Sequence, residues 1–265
     1  MKRLPTLFVG HGSPMTVITD SPERRALVAL GKALPRPDAI LCISAHWETR
    51  GHTHVTAAEH PRTIHDFRGF PPELYAIEYR APGSAGLVER TAALIGEEHI
   101  VRDTGWGFDH GTWGVLEVLF PGENIPTVAM SLDRALGPDG HRALGAMLAP
   151  LRDEGVLIVG SGNVVHNLAL YRQSVGTVPE WAEAFRTRIN RAVTDNDARA
   201  LTTFAADDQS AAAAINSAEH YLPLLYAVGA RLPGDAVGVF NDTVDGALSM
   251  TSYLIGDTAP LAALQ

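Results

Sequence analysis

Cysteine is almost absent from this chain. Among 265 residues there is one, Cys42, so neither a disulfide framework nor a thiolate metal cluster is available. Any bound metal must be held by histidine and carboxylate, a donor set that suits iron, zinc or manganese. Positive charge is also short. Lys and Arg total 21 against 30 Asp and Glu, a net charge of −9. That excludes nucleic acid as the main partner, because phosphate binding wants clustered cations. No long uninterrupted apolar run is present, so no membrane span is expected. The basic start, Met1-Lys2-Arg3, is followed by too short an apolar stretch for a signal peptide before Gly10 and His11. A cytoplasmic location is the expectation. Internal repeats, low-complexity tracts and linkers are missing too, which predicts one domain over residues 1–265.

What is there is a globular composition, 46% hydrophobic and 19% charged, in a chain long enough to bury a sizeable core. Short apolar runs at 7–9, 40–47, 127–132 and 156–160 read as strands, with a briefer one at 55–58. Helical patterns cover 22–33, 86–95, 115–120, 141–152 and 179–193. Ser21 caps the first of these, with Pro22 at its first position. A further helix is expected over 221–230, with Ser217 as its cap and Glu219 and His220 in its first turn. The polar stretch 195–209 reads as a mobile excursion, and 237–241 and 248–254 as closing strands. Strands alternating with helices predict an α/β fold: a single domain whose central, mostly parallel or mixed sheet is flanked by helices on both faces.

Three strands end alike. Each apolar run meets a corner of small residues and then a histidine: His11 after Gly10, His46 after Ser44-Ala45, and His166 after Gly160-Ser161-Gly162. One such residue alone reads as a satisfied core histidine. Repetition changes that reading, because strand ends on one edge of a sheet converge in space. His220 and Glu219, at a helix start, can reach the same edge. Three or four neutral imidazoles make a site for a first-row metal. The glycine- and aromatic-rich stretch 106–114 reads as a loop in which Asp109 orients His110 or raises its pKa. The aromatics of 63–72 either line a pocket for a planar ligand or pack their loop onto the domain.

Spacing alone does not identify the centre, since its candidate ligands lie far apart. The motifs go further. Gly-His-Gly-Ser-Pro-Met at 10–15, Ser-Ala-His-Trp at 44–47, Thr-Ile-His-Asp-Phe at 63–67, Trp-Gly-Phe-Asp-His-Gly at 106–111, Gly-Asn-Val-Val-His-Asn-Leu at 162–168 and Glu-His-Tyr-Leu-Pro-Leu-Leu-Tyr at 219–226 resemble the class III extradiol ring-cleavage dioxygenases, in the branch of 4,5-DOPA extradiol dioxygenase. The likeness runs in consistent order from about Leu4 to Leu254.

The resemblance implies a non-haem Fe(II) enzyme, with Zn(II) a frequent occupant of the same site. Its substrates would be O₂ and a small catechol, DOPA-like or related, opened to a muconic semialdehyde. By motif it implies His11, His46 and His220 as metal ligands. His166 would act as acid–base beside them, close enough to touch a zinc ion, with His110 in support. His65, Phe67 and Trp113, with Phe70, are candidates for the wall that faces the substrate ring. Protocatechuate-type relatives complete the metal site with a glutamate. Here Glu219 and His220 both occupy that stretch, and the branch favours His220. A zinc-dependent hydrolase and a non-catalytic metal-binding protein are the rival readings, separable by whether oxygen is consumed. Monomer and homodimer are both open.

Overall fold

The computed structural model describes residues 3–122, 125–204 and 209–264. β1 (Thr6–Gly10) leads through a short 3-10 turn to α1 (Pro22–Ala33), and β2 (Ala39–Thr49) is followed at once by β3 (Thr53–Thr56). α2 (Pro72–Tyr75) and α3 (Ala85–Ile95) precede β4 (Ile100–Asp103). Then come α4 (His110–Leu119), β5 (Thr127–Asp133), α5 (Pro138–Leu148) and β6 (Val156–Gly162). The next stretch is helical: α6 (Leu168–Ser174), α7 (Glu180–Asp195), α8 (Ala198–Thr202), α9 (Gln209–Ala214) and α10 (Leu222–Gly229). Four short strands close the chain, β7 (Ala236–Phe240), β8 (Val244–Asp245), β9 (Leu248–Ser249) and β10 (Ser252–Gly256).

Eight strands form one mixed sheet in the order β4-β3-β5-β2-β6-β1-β10-β7. The centre is parallel, with β5, β2, β6 and β1 running together. β10 and β7 add antiparallel to one side. Apolar residues run unbroken along the central strands because helices cover both faces. Leu41 and Ile43 face one core with α3, α5, α7 and α10, while Ile40 and Cys42 face the other with α1 and α4. The expected α/β fold is therefore present. Among the described residues no helix is long and apolar enough to cross a membrane.

Several element bounds differ from expectation, each for a local reason. The loop expected over 106–114 is helical from His110, because Asp109 caps that helix by accepting the Thr112 N–H. Gly111 and Gly114 lower its intrinsic propensity and hid it. The helix expected over 141–152 starts at Pro138 and passes into a 3-10 turn at Ala149, where Pro150 has no N–H to continue it. Ser217 does not cap α10. Its hydroxyl donates to Glu219, and Glu219 and His220 lie ahead of the helix rather than in its first turn. The strand expected at 55–58 lies at Thr53–Thr56. The run 248–254 is split into β9 and β10, with the Met250 backbone packed so tightly on Gly10 that a Cβ there would meet it at 2.6 Å. Within 195–209, α7 runs on to Asp195 and α8 follows, while 205–208 lie outside the described residues.

The α1–α4 packing is the tightest backbone approach on this side of the sheet. A Cβ on Gly31 would lie 1.7 Å from the Leu119 carbonyl oxygen. Gly31→Ala gains helix propensity of up to about 1 kcal/mol, but the clash belongs to overpacking, which costs about 1–3 kcal/mol or more. The expected outcome is a lower urea midpoint with an unchanged m value. A raised midpoint would show that the two helices yield without strain.

Candidate metal centre

Sheet register brings the candidate residues together. β1, β6 and β2 lie side by side and parallel, with Val9 and Ser44 both level with Ser161. His11 follows directly, its N–H donating to the Gly162 carbonyl at 3.0 Å. His46 sits on a bulge: β2 pairs with β5 at Ile43↔Met130 and resumes at Glu48↔Leu132, so 44–47 swing out of that ladder. Bulges of this kind re-aim side chains. His220 reaches the same edge from the segment before α10, where its carbonyl accepts the Asn163 N–H at 2.8 Å. Gly162 makes that approach possible, since a Cβ there would stand 2.0 Å from the His220 oxygen. His110 comes from the start of α4. Next to it, Gly111 leaves room for Ser44 and His46, which a Cβ would meet at 2.5 and 3.1 Å.

Each of four imidazoles is tethered through Nδ1. His46 and His110 both donate to Asp66, each at 2.9 Å. His220 donates to Glu219 Oε1 at 3.0 Å. His11 Nδ1 lies 2.9 Å from Ser161 Oγ. That hydroxyl spends its own hydrogen on the Gly111 carbonyl at 2.6 Å, so it can only accept from His11. Every tether therefore leaves an Nε2 lone pair for the centre of the cluster, the usual arrangement behind metal-bound histidine.

The ring positions test whether an ion fits. With a metal–nitrogen distance of about 2.1 Å, ring centres lie about 3.2 Å from the ion and stand about 4.5–5.2 Å apart for angles of about 90–109°. The His11–His46, His11–His220 and His46–His220 centroids are 5.1, 5.3 and 5.1 Å apart. This near-equilateral triangle fits three ligands on one ion. His11 Nε2 and His46 Nε2 are 3.3 Å apart, close enough to share one proton or one metal ion. His110 fits less evenly, at 4.0 Å from His46 and 5.6 Å from His11. It does bring a ligand atom within 4.8 Å of theirs. His166 lies flat on His220, with centroids 3.4 Å apart and planes at 7°. His166, Glu219 and His220 form a second group whose ligand atoms lie within 4.8 Å of one another, and Glu219 is hydrogen-bonded to the Nδ1 side of His220.

Burial governs the electrostatics. It holds His11 well below the ordinary histidine value, helped by the neighbouring imidazoles. It lowers His166 to about 3 and His220 to about 4, with His220 adding to the first shift and Glu219 opposing the second. His110 is lowered as well, burial outweighing its bond to Asp66. His46 goes the other way. Burial opposes its protonation, but the Asp66 hydrogen bond and the charges of Asp109, Asp66 and Glu219 prevail. Burial pushes both carboxylates up, yet the bonds from His110 and His46 drive Asp66 far below the usual range, and His220 helps bring Glu219 to about 2.

The expected aromatic wall is adjacent. Phe67 stands between His65 and His110, 5.8 and 5.6 Å from them by centroid. Trp113 is fully buried behind it, donating its indole N–H to the Ile64 carbonyl at 3.0 Å. His65 turns outward, its Nε2 donating to the Ile77 carbonyl at 3.1 Å, and lines an outer groove of about 480 Å³ with Arg62 and Tyr75. Phe70 packs edge-on against Phe67. Asp109 was expected to orient His110 or raise its pKa: Asp66 does the orienting, while Asp109 accepts from Ser44, caps α4 and through its charge favours protonation of His110. Asp66, Ser161 and Ser44 were not singled out from the sequence. The signal was their place one or two residues from a histidine motif or a glycine corner.

A family model described as the catalytic LigB subunit of aromatic ring-opening dioxygenase matches residues 5–244. The chain is 43% identical over 260 residues to a 4,5-DOPA dioxygenase extradiol of Escherichia coli (strain K12), covering 96% of this chain and 95% of that protein. It is 36% identical to a Beta vulgaris protein of the same name, covering 96% and 97%. A crystal structure of an uncharacterized Escherichia coli K12 protein matches with a TM-score of 0.81 at 38% identity, over 96% of this chain and 100% of that one.

The buried neutral histidines tie stability to pH. His166 and His220 titrate at about 3 and 4 in the folded chain, against about 6.5 when unfolded. The unfolded chain thus takes up protons below pH 6.5 that the folded one refuses, and stability falls by on the order of 1 kcal/mol per pH unit for each as pH drops. Asp66 and Glu219, held low, add to the loss below about pH 4.5, and within the cluster His46 acts in the opposite sense. Urea midpoints of the chelator-treated protein should decline steadily from pH 7 to 4.5. A flat profile would contradict the neutral cluster.

Proposed function

The chain belongs to the family of the catalytic LigB subunit of aromatic ring-opening dioxygenases, and from that footing we propose that it opens a catechol by extradiol cleavage with O₂, giving a muconic semialdehyde. The names of its relatives favour a catechol with a DOPA-like side chain. The observation that carries the reading is the triangle of His11, His46 and His220, each with Nδ1 tethered and Nε2 free. These three are the proposed metal ligands. Iron(II) is the proposed working metal, and Zn(II) suits the same nitrogen donors.

An iron ion held by these residues would supply Lewis acidity toward the catechol oxygens and redox capacity toward O₂. The protein's part is binding, orientation and proton handling. His166 lies over His220, and burial keeps it neutral, so its lone pair is free to accept a hydroxyl proton from the arriving catechol. Among the described residues no hydrogen bond engages its ring. His110, tethered at Nδ1, presents Nε2 beside His46 and can hold a second proton or an oxygen of the substrate. Phe67, backed by Trp113, offers an apolar face to the aromatic ring and excludes water. His65 braces that wall through the Ile77 carbonyl. Glu48, two residues beyond His46 on the same strand, feels the charge of Glu219 and lines an open polar groove of about 730 Å³ with Arg50 and Arg134. That groove is the proposed approach for substrate.

The deciding experiment loads the protein with Fe(II) without oxygen, offers a panel of catechols, then admits O₂ and follows the yellow semialdehyde. Turnover requiring both Fe(II) and O₂ is expected. Activity with Zn(II) and no oxygen would favour a hydrolase, and no turnover at all would leave a metal-binding protein. His46→Ala should lose most bound metal, because two remaining ligands hold a divalent ion poorly. His166→Gln should keep its iron and lose ~10²–10⁴-fold in kcat, the scale of general acid–base catalysis. Parallel loss of iron and rate would make His166 a ligand instead.

A further inference from the structure

Among the described residues Asp66 is the one carboxylate shared by two histidines of the cluster. Its Oδ2 takes the His46 Nδ1 at 2.9 Å, and its Oδ1 takes both the Nδ1 and the backbone N–H of His110 at 2.9 Å. We propose that Asp66 is a positioning residue that fixes His46 and His110 in one common tautomer, so that a metal ligand and its neighbouring proton carrier are set by the same group. The inference rests on the metal-dependent reading above.

Asp66 takes the first N–H of α4, that of His110, while Asp109 accepts the Thr112 N–H, so capping accounts for one of the three bonds that Asp66 accepts. It does not pair with a cation on the surface, since its carboxylate is turned inward with its side chain 19% exposed. What it does is hold two imidazoles only 4.0 Å apart by centroid. An ionised carboxylate is acceptor-only, so both Nδ1 atoms must carry hydrogen and both Nε2 atoms keep their lone pairs. The N–H at the start of α4, with the positive end of that helix behind it, keeps the carboxylate charged. An asparagine in its place has one acceptor and one NH₂ group. It can satisfy one ring only. The other must present its Nδ1 lone pair to the NH₂ and carry its hydrogen on Nε2. For His46 that removes the metal-binding lone pair, and for His110 it removes the proton acceptor.

The test uses Asp66→Asn, which keeps the side-chain shape. Zinc affinity, measured by competition with a chromophoric chelator, should weaken ~10–100-fold, the usual effect of losing a partner behind a ligand. His110→Gln alone should weaken zinc affinity less than Asp66→Asn does. At saturating Fe(II), kcat of Asp66→Asn should fall. The double variant Asp66→Asn, His110→Gln should then be no slower than His110→Gln alone, because the remaining effect of Asp66 runs through that ring. Nitrogen-15 spectra of the zinc-loaded parent should show hydrogen on Nδ1 of both His46 and His110, a readout that stands even if a variant fails to fold. Parental zinc affinity in Asp66→Asn, additive losses in kcat, or an Nε2–H on either ring would each overturn the proposal. If the parent turns over no catechol while Asp66→Asn still loses zinc affinity, the dioxygenase reading falls and the Asp66–His46 link stands.

Discussion

A buried imidazole has one hydrogen to give and one lone pair to offer, and burial does not tolerate either going unmet. The centre of this protein follows from that. Four of the clustered rings, His11, His46, His110 and His220, give their Nδ1 hydrogen backward to a fixed acceptor, and the lone pairs that remain converge. The acceptors come from unrelated places: a hydroxyl on β6, a carboxylate in the loop after β3, a carboxylate just ahead of α10. Ser161 shows how tightly the choice is made. Its hydroxyl is already committed to the Gly111 carbonyl, so the tautomer of His11 is decided by a backbone atom of α4. The register of three parallel strands then carries Ser161, His11 and His46 to one edge of the sheet.

The same constraint separates roles that composition leaves merged. His11 and His220 are buried and His46 and His166 half-buried, yet it is their neighbours that divide them. His11, His46 and His220 stand about one coordination angle apart. His166 lies against His220 as a plate lies on a plate. The groove of about 480 Å³ along His65 and Tyr75 is separated from the cluster by Phe67, whereas the groove of about 730 Å³ along Glu48 and Arg50 opens two residues beyond His46.

Much of this was legible in the sequence. An apolar run, a small-residue corner and a histidine are local features, and a strand end is where an α/β fold puts its chemistry. So the fold class and the convergence of His11, His46, His166 and His220 could be read directly. What could not be read was anything fixed by partners distant in the chain. Asp66 follows His65 and looks like part of a polar loop until α4 brings His110 to it. Asp109 adjoins His110 in sequence and is the obvious orienting group, but helix geometry turns its carboxylate to Ser44 and Thr112. Gly111 weakened the local case for a helix, although its missing Cβ is what lets α4 pack against Ser44 and His46. The start of α10 was misplaced because Ser217 looks like a cap, whereas its hydroxyl is used to hold Glu219.

The strand order has a consequence for how the chain comes together. β1, near the start of the sequence, lies between β6 and β10 in the sheet. Neither neighbour exists until most of the polypeptide has been synthesised, so β1 has no lateral partner while the chain emerges. Closing so long a span is entropically slow, and the residues that would grip an ion are scattered over the same span. With His11, His46 and His220 as the proposed ligands, no early fragment would carry all three, and capture of an ion by them would report completion of the fold rather than guide it.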